Sequence, residues 1–384
     1  MAVLLSTFDI PSSLCYTRAM KLTAKVKLLP TDEQRTLLLQ TLELANAACN
    51  FLSEQAWETK AFRQFSLHKL AYHLTRERFP DLSSQIVVRC IARVADAYKL
   101  DRKTQRVFRP HAAIAYDLRI LRWYVDRSAV SIWAIGGRQH ISFTCGEGQR
   151  ELLLSQQGES DLIYHRGEFY LAVTCNVEEP PLAKVDDVLG IDLGIVNIAT
   201  DSDGESYSGD RVERNRRIYS HRRRNLQRKG TKAAKRKLRQ ISGKQARFQR
   251  DVNHTISKHL VQKAQDTNRA IAVENLTGIR QRTTARGRKQ RARHANWSFY
   301  QLKQFLAYKA QRAGIPLIEV DPRYTSQTCP VCGCVDKRNR PDQATFSCVS
   351  CAYSANADHV AARNIRARAA VNRPMVSDMP ALLA

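Results

Sequence analysis

Apolar and polar residues alternate in a stretch near the start of the chain. In MKLTAKVKLLP every second residue from Leu22 to Leu28 is apolar, which is typical of a β-strand with one buried face. Pro30 ends the alternation, and TDEQ at 31–34 has the composition of a capping box. The pattern therefore predicts a strand over 20–29 and a helix directly after it.

Helical spacing follows until about residue 105. Apolar residues recur every three or four positions over 32–59, 66–78 and 83–100. Ser83 or Ser84 can cap the third of these segments. These patterns predict a helical region of roughly 31–105.

Alternation returns after the helical region. Apolar runs flank Gly136-Gly137 and Arg166-Gly167, which predicts two β-hairpins. The simplest architecture is a small β domain with the helical region inserted into it. GluGluProPro at 178–181 has the composition of a domain boundary.

Strands and helices alternate from about residue 186 onward, which favours an α/β domain. Strands are predicted in VLGIDLGIVNIAT, AIAVENL and IPLIEVDP. Residues 212–268 read as mostly helical, residues 280–293 as a basic loop, and WSFYQLKQFLAYKAQRAG as an amphipathic helix that ends at Gly314.

Three carboxylates stand at informative places in this α/β region. Asp192 interrupts an apolar strand, where a buried charge is costly unless it is paired or bound to a metal. Glu274 closes another strand, and Asp358 opens a helix, two positions that are common for exposed acids. If they converge, the three can hold two Mg²⁺ ions, which can activate water and stabilise the leaving oxygen of a phosphodiester.

Four cysteines form two close pairs. Cys329-x2-Cys332 and Cys348-x2-Cys351 are separated by 15 residues, a spacing typical of tetrahedral Zn²⁺ sites. No histidine completes an open coordination position, so the pattern predicts one closed, structural zinc site. Cys334 has the wrong spacing and is interpreted as a bystander.

Positive charge is concentrated in one part of the chain. The formal net charge is +26, and residues 211–293 hold 27 Lys and Arg against 4 Asp and Glu. Such density favours a polyanionic partner and predicts nucleic-acid binding. The densest candidates for phosphate contacts are Arg222, Arg223, Arg224, Lys235, Arg236 and Lys237.

The sequence argues against export and membrane insertion. No apolar run approaches the length of a membrane span, and the first residues lack the basic start of a secretory signal. We expect a cytoplasmic protein with no membrane partner and no small-molecule substrate.

Together these segments resemble the TnpB family, the RNA-guided nucleases encoded in insertion sequences, and the related compact type V CRISPR effectors. The resemblance covers about residues 20–370 and is most specific from residue 186 onward. The matching segments are MKLTAKVKLLPTDEQ (20–34), GIDLG (190–194), VENL (273–276), WSFYQLKQFL (297–306), DPRYTSQTCPVCG (321–333) and DHVAARNI (358–365).

The resemblance implies a multidomain α+β fold. An N-terminal wedge-type β-barrel with an inserted helical recognition lobe would precede an RNase H-like (RuvC) α/β nuclease domain, into which a zinc ribbon is inserted. The implied ranges are 20–30 and 106–182 for the barrel, 31–105 for the lobe, 186–326 and 354–370 for the nuclease, and 327–353 for the ribbon.

The resemblance also implies an activity. Asp192, Glu274 and Asp358 would form the acidic triad of an Mg²⁺-dependent DNA endonuclease. A guide RNA derived from the transposon end would direct cutting of double-stranded target DNA beside a short motif.

The chain departs from the family pattern at three places. Val360 stands where the family usually has Asn, two residues after the last triad Asp. Residues 1–19 do not match the family start, which indicates a disordered extension or a true start at Met20. Residues 371–384 read as a disordered tail.

Two other classes of function remain open at this stage. A guide-dependent repressor would bind DNA without cutting it, although such relatives would lack the triad. A transposase or a RuvC-type structure-specific nuclease would share the acidic residues. A resolvase would not need the ribbon and the helical lobe, and strand joining without RNA would identify a transposase.

We expect RNA to copurify with the full chain and to be released steeply as salt rises, because phosphate contacts release condensed counterions. The measurement is quantification of bound RNA across a salt series. Absence of RNA, or retention undiminished in high salt, would contradict the prediction.

Overall fold

The computed structural model describes residues 19–276 and 298–371, apart from the side chains of residues 19, 156 and 157. The chain divides into two compact units, Met1–Glu178 and Glu179–Ala384, and each is described by itself. The predicted basic loop, and nearly all of the predicted extension and tail, lie outside the described residues.

The first unit contains a seven-stranded sheet in which all neighbouring strands are antiparallel. Its strands are β1 (Ala19–Leu29), β2 (Ile114–Tyr116), β3 (Leu121–Tyr124), β4 (Ala129–Ala134), β5 (Gly137–Thr144), β6 (Gln156–His165) and β7 (Glu168–Glu178). They lie in the order β2-β6-β7-β1-β5-β4-β3. Both predicted hairpins are confirmed, since β4 pairs with β5 and β6 with β7.

This sheet curls until its edges nearly meet. The two edge strands, β2 and β3, are separated in the chain only by residues 117–120. A connection that short cannot bridge a flat sheet of seven strands about 4.8 Å apart, so the sheet has to bend into a nearly closed barrel. The backbone N–H of Trp133 on β4 donates to the carbonyl of Ile120, which extends the pairing past β3.

Helices fill the connection between β1 and β2, as the spacing predicts. They are α1 (Asp32–Thr59), α2 (Gln64–Arg78) and α3 (Ser84–Leu100), and the short α4 (Glu147–Leu154) follows β5. The capping box of Thr31 and Gln34 is present at the start of α1, and Ser83 caps α3. Buried residues of α1, α3 and the sheet form one continuous apolar core.

The second unit contains a five-stranded sheet and five described helices. The strands are β8 (Asp187–Asp192), β9 (Asn197–Asp201), β10 (Ser206–Ser208), β11 (Arg269–Glu274) and β12 (Leu317–Val320), in the order β10-β9-β8-β11-β12. The helices are α5 (Asp210–Lys229), α6 (Lys232–Ile241), α7 (Lys244–Asp266), α8 (Phe299–Arg312) and α9 (Ala357–Val371). A separate hairpin of β13 (Thr345–Ser347) and β14 (Ser354–Asn356) precedes α9.

Both faces of the five-stranded sheet are covered. Strand β8 runs parallel to β11, and β11 runs parallel to β12, whereas β9 and β10 are antiparallel. Leu189 and Ile191 of β8 pack in one core with residues of α7 and α8, and Val188 packs in another with Ile365 of α9. Burial on both faces explains why β8 and β11 are continuous apolar runs in the sequence.

Two glycines divide the basic region that the sequence pattern joins as one helical stretch. Gly230 ends α5 with φ +66° and Gly243 precedes α7 with φ +75°. Residues other than glycine adopt these left-handed angles at a cost. The region therefore forms three separate helices. No described helix is long and apolar enough to cross a membrane.

Helix α9 approaches β8 closely at one glycine. A Cβ atom on Gly190 would lie 2.2 Å from the carbonyl oxygen of Ala362 and 2.6 Å from the backbone nitrogen of Arg366. These are backbone atoms, so a side-chain rotation cannot relieve the overlap. Glycine at this position thus sets the distance between the helix and the sheet.

We expect Gly190→Ala to lower the free energy of unfolding of the second unit by about 1–3 kcal/mol, the usual cost of an overpacked core. Chemical denaturation monitored by circular dichroism measures this change. Gly148→Ala is the matched control, because a Cβ there meets nothing within 4 Å and we expect no loss of stability. Equal stability of Gly190→Ala and the wild type would contradict the close packing of α9.

Candidate active site

Asp192 and Glu274 lie side by side at the carboxyl ends of two inner strands of the five-stranded sheet. Asp192 ends β8 and Glu274 ends β11, and these strands are parallel. Val273 pairs with Ile191 in the last registered position, so the two acids come next on adjacent strands, which are about 4.8 Å apart. Strand register therefore brings together two residues that are 82 positions apart in the sequence.

Asp358 joins them from the first turn of α9. The side chain of Asn356 caps this helix by accepting hydrogen bonds from the backbone nitrogens of Asp358 and His359, at 3.0 and 3.1 Å. Asn197, at the start of β9, donates from Nδ2 to Oδ2 of Asp358 at 2.9 Å. The helix start is thus tied to the same sheet that carries the other two carboxylates.

The charges of the other two carboxylates act on Asp192. Burial raises the pKa of the Asp192 carboxyl well above its ordinary range, and the charges of Glu274 and Asp358 raise it further. The charge of Arg340 and the backbone N–H of Leu193 oppose the shift. Crowded acids with a raised pKa gain most from a bound cation, which removes the repulsion that favours protonation.

Glu274 is held by a neighbouring hydroxyl. Burial raises the pKa of Glu274, while a hydrogen bond from the buried Thr325 hydroxyl and the charge of Arg368 oppose this change. Because a hydroxyl that donates to a carboxylate stabilises the charged form, Thr325 orients one oxygen of Glu274 and favours its ionised state. Metal binding needs carboxylates in this form.

The donor set fits a hard divalent cation. Carboxylate oxygens are the ligands that Mg²⁺ takes from proteins, usually one or two for each ion with water completing the shell. The three acids do not place one oxygen each within 4.8 Å of the others, as the cysteines described below do with sulfur. Two ions about 4 Å apart do not require such convergence, because each can bind a different pair of carboxylates.

A buried asparagine connects α9 to the segment that enters the cysteine pairs. Asn364 donates from Nδ2 to the carbonyl oxygens of Thr325 and Thr328, at 2.7 and 2.8 Å. Thr325 also holds Glu274, and Thr328 immediately precedes Cys329. One amide group therefore joins the helix of Asp358, the support of Glu274 and the start of the cysteine segment.

The four predicted metal ligands converge. Cys329, Cys332, Cys348 and Cys351 place their sulfur atoms within 4.8 Å of one another. The Cys329–Cys351 and Cys332–Cys348 sulfur pairs are 3.6 and 3.5 Å apart. These distances suit four thiolates around a single tetrahedral ion, because sulfur atoms bound at about 2.3 Å lie less than 4 Å apart. We call residues 329–351 the cysteine knuckle.

Backbone amides favour the thiolate form of one cysteine in the knuckle. The backbone N–H of Cys351, together with that of Ser350, donates to the Cys348 sulfur and lowers the pKa of this thiol to about 6. Gly333 takes φ +75°, in the left-handed region, directly after the first cysteine pair. Cys334 is not part of the four-sulfur group, and its carbonyl accepts a hydrogen bond from the backbone of Cys329.

The six predicted phosphate-binding residues lie on the exposed surface of two helices. Arg222, Arg223 and Arg224 are on α5, and Lys235, Arg236 and Lys237 are on α6. Arg223 donates to Gln245 at 2.9 Å, and Arg222 lies 5.7 Å from the ring of Tyr219. In the described part of the chain none of the six forms a salt bridge, so their charge remains available to an anion.

Two family models match the second unit and the strand before it. The model described as "Probable transposase" matches residues 172–280, which contain Asp192 and Glu274. The model described as "Cas12f1-like, TNB domain" matches residues 299–365, which contain Asp358 and the cysteine knuckle. The two matches thus include every predicted triad and metal-ligating residue.

Similar proteins extend the relation beyond these segments. The "CRISPR-associated endodeoxyribonuclease Cas12f1" of Sulfoacidibacillus thermotolerans is 27% identical over 86% of this chain and 92% of its own length. A TnpB-like protein of Methanocaldococcus jannaschii is 32% identical over 47% of this chain and 68% of its own length. The chain belongs to the TnpB family.

A solved structure shares the fold of this TnpB-family chain. "Cryo-EM structure of the Cas12f1-sgRNA-target DNA complex" aligns with a TM-score of 0.54 at 17% identity, over 86% of this chain and 81% of that one. The aligned range includes most of both units, so the nearly closed barrel-like sheet and the α/β unit are features of one shared architecture.

Sequence reasoning on TnpB motifs misses the residues that support the carboxylates. Asn197, Thr325, Arg340 and Asn364 act through hydrogen bonds or charge that join segments up to 161 positions apart. Thr325 and Asn364 lie inside the matching segments DPRYTSQTCPVCG and DHVAARNI. Asn364 could have been identified as a polar residue on the apolar face of α9, beside Ala361 and Ile365, whereas the neighbours of Thr325 give no such signal.

We expect the full chain to bind one Co²⁺ ion with the absorption of a tetrahedral thiolate site, and Cys351→Ser to abolish or shift this spectrum because one sulfur ligand is lost. Spectroscopic titration with Co²⁺ measures the effect. Cys334→Ser is the matched control and should keep the wild-type spectrum. A loss of equal size in both variants would contradict the assignment of the four ligands.

Proposed function

We propose that this chain is an RNA-guided DNA endonuclease of a transposable element, which cuts target DNA beside a short motif by two-metal-ion phosphodiester hydrolysis. The observation that carries the proposal is the meeting of Asp192, Glu274 and Asp358 at one sheet edge in a member of the TnpB family. The relative from Sulfoacidibacillus thermotolerans, named an endodeoxyribonuclease, aligns over most of both chains and supports the same activity.

In this proposal the second unit is an RNase H-like (RuvC) nuclease. Its sheet has three antiparallel strands, β8 to β10, beside two strands parallel to β8. The first unit would supply the wedge-type barrel, and α1 to α3 would form the recognition lobe. These assignments follow the family resemblance and are supported by the order of the strands and the position of the helices.

Asp192, Glu274 and Asp358 would hold two Mg²⁺ ions. Ions bound there would activate water and stabilise the leaving oxygen of the scissile phosphodiester. The chain's own contribution is orientation, since Thr325 positions Glu274 and Asn197 positions Asp358. Arg340, whose charge acts on Asp192, would attract the DNA phosphate toward the carboxylates.

The cysteine knuckle would bind one structural Zn²⁺ ion. All four ligands are sulfur atoms, which gives a closed site without a position for substrate. Through Asn364 the knuckle entry is joined to α9, so the ion would stabilise the approach of Asp358 to the other carboxylates. The Zn²⁺ ion would therefore position the active site without taking part in the cutting.

Val360 does not take over the role of the usual asparagine. Its side chain is fully buried with Phe346, Ala357 and two of the cysteines. A valine cannot donate a hydrogen bond toward the metals, and here it packs the knuckle against α9. We infer that Val360 makes no polar contact at the site and instead stabilises the helix that carries Asp358 by apolar packing.

The basic helices would bind the guide RNA and its duplex with the target strand. Six exposed cations on α5 and α6 offer phosphate contacts that do not depend on base identity. Base pairing between guide and target would then supply the sequence specificity. The basic loop 280–293 would extend this surface, although it lies outside the described residues.

We expect the chain with its copurified RNA to cut a matched DNA duplex in the presence of Mg²⁺ and not after chelation with EDTA. Asp192→Ala, Glu274→Ala and Asp358→Ala should each reduce the cleavage rate by at least about 10³-fold, because each removes a ligand of at least one ion and the reaction requires both ions. Gel assays on a target designed from the sequenced RNA measure this rate.

Asp187→Ala is the matched control, since it removes a carboxylate from the opposite end of β8, where Asp187 pairs with Arg366. It should cut at nearly the wild-type rate. RNA-dependent DNA binding without any cleavage by the wild type would instead identify a repressor. Strand joining without RNA would identify a transposase.

A further inference from the structure

An exposed tyrosine with an unusual backbone conformation lies next to the carboxylate site. Tyr324 has φ +61°, in the left-handed region, and its exposed fraction is 59%. Left-handed angles are costly for a residue with a large side chain, whereas glycine and asparagine tolerate them. Residues in such conformations concentrate at functional sites, where the surrounding structure maintains them.

The turn that contains Tyr324 is locked by hydrogen bonds. The carbonyl oxygen of Tyr324 accepts from the backbone nitrogens of Gln327 and Thr328, both at 3.0 Å, and from the Thr328 hydroxyl at 2.7 Å. The carbonyl of Thr328 in turn accepts from Asn364 of α9 at 2.8 Å. The aromatic residue is therefore attached to the same rigid framework that positions Asp358.

Only one peptide bond separates Tyr324 from the support of Glu274. Thr325 donates its hydroxyl hydrogen to Glu274, and consecutive Cα atoms are about 3.8 Å apart. Tyr324 is thus exposed to solvent while its neighbour is buried against the carboxylate. The backbone of Tyr324 therefore lies beside the residue that holds Glu274, and its exposed side chain is available to a DNA strand bound at the site.

The preceding residue adds positive charge at the same place. The side chain of Arg323 is 78% exposed, and its ion pair with Asp321 is long at 3.9 Å. In the described part of the chain neither an aromatic ring nor a cation contacts the ring of Tyr324. An open ring beside a weakly paired guanidinium is the combination with which proteins bind single-stranded nucleic acids.

We propose that Tyr324 is a positioning residue whose ring stacks on a nucleobase of the single DNA strand that enters the active site, while Arg323 contacts an adjacent phosphate. The proposal rests on the proposed endonuclease function. Stacking would fix the strand relative to the carboxylates, so that one phosphodiester is presented for cutting. Since every base has a π-face, this contact would act on all sequences and would not compete with guide pairing.

Three substitutions at Tyr324 distinguish the effect of losing the aromatic ring from the effect of the left-handed backbone conformation. Tyr324→Phe keeps the ring, Tyr324→Leu keeps apolar bulk without a ring, and Tyr324→Asn removes the ring but is better tolerated at a left-handed φ. Each is made in the full chain carrying its copurified RNA. The readouts are the cleavage rate, the distribution of cut positions on a matched duplex, and the melting temperature.

We expect Tyr324→Leu and Tyr324→Asn to reduce the cleavage rate by about tenfold or more, as loss of one base stack predicts, and to spread the cut positions. Tyr324→Phe should recover most of the rate and the wild-type cut positions. The melting temperature of Tyr324→Asn should equal or exceed that of the wild type, so that lost cleavage is not lost folding. Tyr300→Asn, at a tyrosine that is 62% exposed on α8, is the control and should change none of the readouts.

The outcomes distinguish this inference from the proposed function. If the wild type does not cut at all, the endonuclease proposal fails. If the wild type cuts and Tyr324→Asn cuts at the same rate and positions, the stacking role is wrong. A fall in melting temperature that matches the loss of rate in both Tyr324→Leu and Tyr324→Asn would show that the ring is structural, and it would equally overturn the inference.

Discussion

The cost of placing three carboxylates close together and partly out of water is the constraint on which the candidate site depends. Asp192 is half-buried, and desolvation together with the charges of Glu274 and Asp358 raises the pKa of its carboxyl. The supports of these acids are partial, since Asn197 binds Asp358 and Thr325 binds Glu274. What keeps them together is a framework that cannot relax locally.

That framework has few members, and each acts on α9. Gly190 lets the helix approach the sheet, Asn364 fixes it to the loop before the knuckle, and Arg366 pairs with Asp187 at the far end of β8. The exposed ion pair contributes little by itself. The close backbone contact at Gly190 and the hydrogen bonds donated by the buried Asn364 side chain position the helix. A cation bound to the knuckle would prevent the loop from opening.

Local features of this fold could be predicted from the sequence. The capping box at Thr31, the cap at Ser83 and both hairpins depend on residues a few positions apart, and the structure contains them. The zinc-type spacing likewise predicts the convergence of the four sulfur atoms. Strands β2 and β3 could not be predicted, because three or four residues are too few to show alternation.

The candidate site likewise contains residues that the sequence predicts and residues that it does not. The acids could be named from their places in the strands and by resemblance to a family, but register alone decides that Asp192 and Glu274 are neighbours. Thr325, Asn197 and Arg340 act across folded distances, so no periodicity reveals them. Gly190 is a further case, since glycine in a strand pattern does not indicate which backbone it will meet.

The order of the site residues along the chain determines what a truncated translation product would contain. Asp358 follows the knuckle, so the ribosome completes the basic helices α5 and α6 well before the last carboxylate exists. A frameshift within the knuckle would keep the sequence of α5 and α6 but remove α9, which carries Asp358 and covers one face of the five-stranded sheet. Such a product would lack the last carboxylate and would expose the apolar residues of the sheet that pack on α9, so both the site and the stability of the second unit depend on translation to the end of α9.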